Sequence, residues 1–421
     1  MDTAEFRRLW DELAPIGRAD GGGYLRFSWS KADLACRDWF RAQAESRGLR
    51  QETDRNGNLY AWWDATATPA PEEADFDGRA VLTGSHFDSV PHGGAYDGPL
   101  GIVSAFLAVD RLRAEGAEPV RPIGIAAFTE EEGGRFGVPC LGSRLMTGVV
   151  DPDRARALTD PDGTTLAEAM RAAGADPDAL GPEPDRLANF AAFVELHVEQ
   201  GRHLDGEDAP VGVASAIWPH GRWRVTFTGV ADHAGTTRLP DRRDPMLTFA
   251  FAVLAARKEA RIAGGLATIG RVLVEPNATN AIAAKVTAWL DARAPDEAVL
   301  GEILRGFESK VVERAGRDGT GFAITAESET PVVDFNAVLR DRIAALLGQF
   351  MAREHRQDGG APILPTGAGH DAGVLAAHVP TAMLFVRNPS GMSHTPVESA
   401  SDEDCAAGIT ALAAVLRDLA C

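Results

Sequence analysis

Six uncharged residues, Ile123-Gly124-Ile125-Ala126-Ala127-Phe128, run through Thr129 into three glutamates, Glu130, Glu131 and Glu132. Such an apolar run belongs inside a sheet, whereas adjacent carboxylates repel one another and resist desolvation. The strand must end where the glutamates begin, and something at its rim must offset their charge. Upstream, Val81–Leu82 opens a second apolar run. Between the two, Ile102, Ala105, Phe106, Val109 and Leu112 recur at helical spacing. Strand, helix, strand is the signature of a crossover unit in a parallel or mixed sheet, so an α/β fold is expected.

The 421 residues suffice for two domains. Residues 65–78, rich in Ala, Pro and acid, read as an exposed loop, and a helix is expected near Leu166 to Ala173. The texture changes near residue 213. "RWRVTFTGV" alternates, a helix follows from about Pro245 to Arg261, and "KVTAWLDAR" alternates again. A helix over about Asp296 to Arg314 and the β-like "FAITAES" complete a strand-helix-strand-strand-helix-strand set. This predicts a small α+β domain over 214–328 inserted in a larger one, 1–213 and 329–421, which resumes with a helix around Phe335 to Arg353.

Composition narrows the function by exclusion. With 61 acids against 42 bases the net charge is −19, which argues against nucleic acid or an anionic membrane as partner. The longest apolar-looking stretch, Met246 to Ala256, is 11 residues and too short to span a bilayer. The N-terminus lacks the apolar core of a signal peptide. Cys36, Cys140, Cys405 and Cys421 are scattered without a CxxC spacing, which fits a reducing, cytoplasmic setting.

Several of the ten histidines stand beside acids. "GSHFDSVPHGGAYDGPLG" places His86 and Asp88 two apart after an apolar run, where strand period points both to one face. An acid there can fix the tautomer of a metal-bound imidazole. Asp97 follows in a Gly-rich turn, "FVELHVEQG" supplies His197, and "GMSHTPVES" supplies His394. Zinc, manganese or cobalt take imidazole and carboxylate together. Two such ions could share the set His86, Asp97, Glu132, His197 and His394 if one carboxylate bridges them. Glu132 would then bind metal, Glu131 would stay free as a base, and Glu130 would turn to solvent. Taken singly, a His or Asp after a strand is more often a capping or hydrogen-bonding residue than a ligand, an EEE run is usually a solvated loop, and their spacing carries no short-range metal signature.

These segments, with "FTEEEGGRFGVPCLGSR", "ADHAGTTRLPDRRDP", "PNATNAI" and "TGAGHDAG", occur in an order that resembles the M20-type amidohydrolases of the hydantoinase/carbamoylase family. That family includes N-carbamoyl-L-amino acid hydrolases, allantoate amidohydrolases and β-ureidopropionases, and the likeness covers nearly the whole chain. It implies a metal-dependent, aminopeptidase-like catalytic domain with an inserted lid that also forms a homodimer. By the same resemblance two divalent ions bind per subunit, one on His86, Asp97 and His197, the other on Asp97, Glu132 and His394. Glu131 is then the general base, Asp88 orients His86, and His233 stabilises the oxyanion, often from the partner subunit. Asn280 and Arg293 match positions that hold the substrate carboxylate, while Gln200 and the backbone around Gly369 match further substrate contacts. His370 reads as a structural neighbour of Asp371. Trp218, His220 and Arg222 stand where many relatives carry smaller, plainer residues. The implied reaction is hydrolysis of an N-carbamoyl-L-amino acid, a small ureido acid. The rivals are allantoate, an N-acyl amino acid or dipeptide, and a binding protein that retains the pocket without turnover.

Overall fold

The computed structural model describes residues 3–65, 79–354 and 360–421, so the loop expected over 65–78 lies, Ala65 apart, outside the described residues. The chain forms two compact units, Met1–Ser215 with Asp334–Cys421, and Ala216–Val333. The division falls a few residues beyond the texture change because a strand, Val211–Ile217, runs through it.

The first unit is built on a mixed sheet. Its strands are β1 (Arg50–Thr53), β2 (Leu59–Trp63), β3 (Ala80–His86), β4 (Ile123–Phe128), β5 (Phe190–Val198) and β6 (Val211–Ile217). After the second unit's β7 to β10 come β11 (Ile363–Thr366) and β12 (Thr381–Val386). The order is β1-β2-β4-β3-β5-β12-β6, with β11 against β6. β3 pairs in parallel with β4, from Val81 opposite Ile123 to His86 opposite Phe128, and with β5, which pairs in parallel with β12. All four strands are buried along their whole length, as expected of parallel strands covered on both faces. The expected crossover is the helix Pro99–Ala114, begun by proline at its first position and buried on nearly every side. The four parallel strands end at one rim. Ligands of open α/β sheets bind at that carboxyl edge.

The second unit is an antiparallel sheet, β10-β7-β9-β8, of β7 (His220–Thr228), β8 (Leu266–Glu275), β9 (Lys285–Arg293) and β10 (Gly321–Thr330). The helices Pro245–Ala263 and Glu297–Asp318 cover one face. Trp223, Val225, Phe227, Val286 and Leu290 pack there against Ala252, Ile303 and Phe307. Asp244 and Asp296 cap the helices, and each helix stops at a glycine in the left-handed region, Gly264 or Gly319. β8 is the strand of the expected set that had no segment assigned to it. Mostly exposed along its length, it lacks the clean alternation that marks β7 and β9.

The helix expected near Leu166 runs Leu166–Ala172 behind a Thr165–Glu168 capping box. That around Phe335 runs Ala337–Glu354. Among the described residues no helix is long and apolar enough to cross a membrane.

Candidate metal centre

The rim of the first sheet gathers the histidines and acids. His86 is the last residue of β3, the glutamates follow β4, His197 lies one residue from the end of β5, and His394 sits in the loop after β12. Asp97, in the turn before the helix Pro99–Ala114, faces them all. Its Oδ1 lies 3.2 Å from His197 Nε2 and 3.6 Å from His86 Nε2. Its Oδ2 lies 3.4 Å from His394 Nε2, which is also 3.4 Å from Glu132 Oε2. Asp97 thus belongs to two groups of prospective ligand atoms, one with His86 and His197 and one with Glu132 and His394.

The spacing suits a cation. Two ligands at zinc-type bond lengths and a tetrahedral angle lie about 3.4 Å apart. The tautomers suit it as well. His86 Nδ1 lies 3.0 Å from the Asp88 carbonyl oxygen and His197 Nδ1 2.9 Å from that of Val198, so both rings carry a proton on Nδ1 and turn Nε2 inward. Both Nε2 atoms are fully buried without a hydrogen-bond partner. A buried polar atom in that condition is costly unless a cation meets it. Burial with the nearby Asp97 charge pushes the Glu132 carboxyl up to about 7, and burial also pushes Glu131 well above the ordinary range. Asp97, in spite of its burial, is held well below that range by His197, His394 and His86. A divalent ion would remove the cost that raises the glutamates. The residues present therefore fit a metal centre.

Glu131 joins neither group. Its Oε2 is 3.7 Å from His86 Nε2, and its Oε1 accepts from the Cys140 thiol at 3.3 Å. Packing explains its neighbours, including one correction. Glu130 does not turn to solvent: it is 0 % exposed, because its Oε1 accepts the amides of Arg135 and Phe136 and thereby closes the loop after β4.

A second correction concerns Asp88. β3 ends at His86, so the period-two argument does not reach Asp88. Its carboxylate accepts the amides of Glu131 at 3.1 Å and Glu132 at 3.0 Å, while its backbone carbonyl lies 3.0 Å and its Oδ1 3.7 Å from His86 Nδ1. Asp88 fixes the imidazole and the glutamate loop at once.

Gln200 lies in this cluster too, donating from Nε2 to Asp97 Oδ2 at 2.7 Å and to Ser393 Oγ at 3.1 Å. Gly369 is exposed, with open space where a Cβ would stand. His370 is buried with its ring 4.5 Å from that of His197, and its partner is thus the histidine of the cluster as much as its chain neighbour Asp371.

The sequence reading missed two buried acids. Glu195, two residues before His197 on β5, accepts from Ser85 Oγ at 2.7 Å and from the Ala372 amide at 3.1 Å. A glutamate inside a strand that is apolar but for His197 was the available signal. Glu398, four residues after His394, accepts the amides of Tyr96 and Asp97. Its only mark was its place in "GMSHTPVES".

The remaining sequence-predicted residues lie in the second unit. His233 and Asn280 come together where Asp232–His233 pairs with Ala281–Ile282 and the Ala234 amide donates to the Asn280 carbonyl at 2.9 Å. Both are exposed. The Gly235 amide donates to His233 Nδ1 at 3.0 Å, which leaves the proton of the neutral ring on Nε2. Arg293, at the end of β9, donates to Asp291 from Nε at 3.0 Å and from a terminal nitrogen at 3.3 Å. Arg222, across the sheet, reaches the same carboxylate at 3.5 Å. His220 pairs in register with Arg293, its Nδ1 3.0 Å from the Trp218 carbonyl.

The chain is similar to known proteins along nearly its whole length. Residues 82–418 match the model of peptidase family M20/M25/M40. Over 96 % of both chains the protein is 35 % identical to an N-carbamoyl-L-amino acid amidohydrolase of Geobacillus stearothermophilus. It is 33 % identical to an allantoate amidohydrolase of Escherichia coli (strain K12), over 99 % of this chain and 98 % of that one. Among solved structures, a hydantoinase/carbamoylase family amidase from Burkholderia multivorans superposes with a TM-score of 0.84 at 30 % identity, covering 100 % of this chain and 98 % of the other.

Proposed function

The chain belongs to peptidase family M20/M25/M40, and from that premise we propose that it is a metal-dependent amidohydrolase of N-carbamoyl-L-amino acids. The products would be the amino acid, ammonia and carbon dioxide. One observation carries the reading: Asp97 offers one oxygen to each of two ligand groups, while Glu131 stands beside them and joins neither. A pure binding protein has no need of such a spare carboxylate.

His86, Asp97 and His197 would hold one divalent ion, and Asp97, Glu132 and His394 a second, as zinc, manganese or cobalt. When bound, the ions supply Lewis acidity toward the carbonyl and toward water. Glu131 takes the proton of the attacking water and returns it to the leaving nitrogen. His233, with its proton on Nε2, donates to the developing oxyanion. Arg293 and Asn280 hold the substrate carboxylate, and Gln200 and the backbone at Gly369 complete the substrate contacts.

A homodimer through the second unit is part of the same reading. Leu254 and Ile262 on the helix Pro245–Ala263, and Leu266 and Leu273 on β8, are at least half exposed. Apolar side chains gathered there suit a second copy of the chain. The free thiols of all four cysteines favour a reducing cytoplasm.

Allantoate is the second reading, because the likeness to an allantoate amidohydrolase is nearly as high and as complete. An ammonia-release screen decides between them. It would compare N-carbamoyl-L-amino acids, N-carbamoyl-β-alanine and allantoate, with N-acyl amino acids followed by amine release, using zinc, manganese and cobalt enzyme. Highest kcat/KM on an N-carbamoyl-L-amino acid is expected. Preference for allantoate would move the assignment there, and metal uptake without any turnover would leave a binding protein.

A further inference from the structure

The two ligand groups differ in what holds them. His86 and His197 stand on buried strands with Nδ1 fixed on carbonyl oxygens. His394 is half exposed on a loop, with its backbone in the left-handed region at φ 57°. A ligand on a loop needs a tie to the rest of its group, and Glu398 provides one.

Four residues past His394 in the same turn, Glu398 reaches the loop that carries Asp97, 301 residues away in sequence. Its Oε1 accepts the Tyr96 amide at 2.8 Å and the Asp97 amide at 3.0 Å. Its Oε2 lies 3.3 Å from Ser393 Oγ, which is also 3.1 Å from Asp97 Oδ2. The carboxylate is 5 % exposed and packs so closely under Gly94 that a Cβ there would lie 2.3 Å from it. Gly94 leaves the room that Glu398 occupies.

We propose that Glu398 is a positioning residue: it fixes Asp97 as the carboxylate shared by the two groups and registers the His394 turn against it. This rests on the two-ion reading above. His86 and His197 are anchored independently, so the group with Glu132 and His394 depends on Glu398 the more. Removing the side chain frees two buried amides and unties the turn. A glutamine keeps an oxygen for the same two amides and should preserve most of the arrangement.

The test is calorimetric titration of metal-free protein with Zn2+ and, separately, Mn2+, beside the melting temperature of the metal-free protein. The parent should take two equivalents per chain. Glu398→Ala should weaken the first equivalent no more than a few-fold, since Asp97 is only one of its ligands, and the second about tenfold or more, the scale on which residues behind metal ligands act. Glu398→Gln should recover most of that loss, and Gly94→Ala, which crowds the carboxylate from the other side, should reproduce it. Metal-free melting temperatures should stay close to the parent's. Parental binding of both equivalents by Glu398→Ala and Gly94→Ala overturns the proposal. So does equal weakening of both equivalents with a fall in metal-free melting temperature, which marks a general structural role. A parent that binds one equivalent overturns the two-ion reading itself, and the proposal with it.

Discussion

The rim of the first unit's sheet and the second unit hold their polar groups in opposite ways. At the rim, His86, Asp88, Asp97, Glu131 and His197 are buried; both rings are held through Nδ1 on backbone carbonyls, and the carboxylates accept from backbone amides or neighbouring side chains. In the second unit His233 and Asn280 are exposed, and Arg293 lies against Asp291 within its own strand. Burying charge is costly unless each group has a partner, so the rim is organised before any ligand arrives. The second unit's groups can wait in water. On the proposed reading, metal binding and proton transfer fall to the first unit, while the second unit supplies the oxyanion donor and the groups for the substrate carboxylate.

The largest effects should come from the rim. Asp97→Ala should remove both equivalents of metal together and bring turnover to background, measured by metal analysis after gel filtration. Retention of one full equivalent would mean two independent sites and would end the shared-carboxylate reading. Glu131→Gln should keep both equivalents, since Glu131 belongs to neither group, and lower kcat by roughly 10²–10⁴, the usual contribution of a general base. A loss within tenfold, about 1.4 kcal/mol, would mean that Glu131 is not the base.

The same contrast decided what could be read from sequence. The crossover unit was legible because β3 and β4 contain apolar runs with residues at helical spacing between them, and the rim residues stand where those runs break. The candidate set was read from the residues, but its division between two ions came from resemblance, because residues at the ends of β3, β4, β5 and in the loop after β12 meet only once the sheet has formed. Glu130 was misplaced because charge alone does not reveal the amides of Arg135 and Phe136 that hold it inside. Glu398 was overlooked because its partners lie some 300 residues away. In the second unit β7 and β9 alternate clearly, while the exposed β8 does not.

The second unit's contribution should be smaller and more dependent on substrate. His233→Ala should lower kcat by roughly 10²–10³, as loss of one oxyanion donor does, with metal content unchanged. Mixing this variant with Glu131→Gln under subunit exchange should restore activity if His233 serves its partner's site. Proven exchange without recovery would place it in its own chain's site. Arg293→Lys should cost roughly tenfold to a hundredfold in kcat/KM on acid substrates, because an ammonium cannot copy the guanidinium fork. An amide analogue of the same substrate should lose almost nothing. Equal losses on both would make Arg293 structural and remove the carboxylate requirement.

The smallest effect should come from Asp291, and it sharpens the contrast most finely. Burial would raise this carboxyl, but the hydrogen bond and charge of Arg293, joined by Arg222, hold it below the ordinary carboxylate range. A carboxyl depressed in the folded state stabilises the protein above its unfolded pKa of about 3.9, and that contribution is lost as pH falls through the lower folded value. Asp291→Asn should therefore lower the melting temperature by only ~1–2 °C near neutrality, as fits a partly exposed pair in a chain of this size. The difference should begin to narrow below about pH 4 and close only as pH falls past the lower folded value. Turnover should move the other way. Asp291 occupies the guanidinium that the substrate carboxylate is proposed to use, so its removal should lower KM for acid substrates a few-fold and leave the amide analogue unchanged. If KM rises instead, Asp291 orients Arg293 rather than competing for it, and the second unit's recognition groups are organised before ligand binding as fully as the rim.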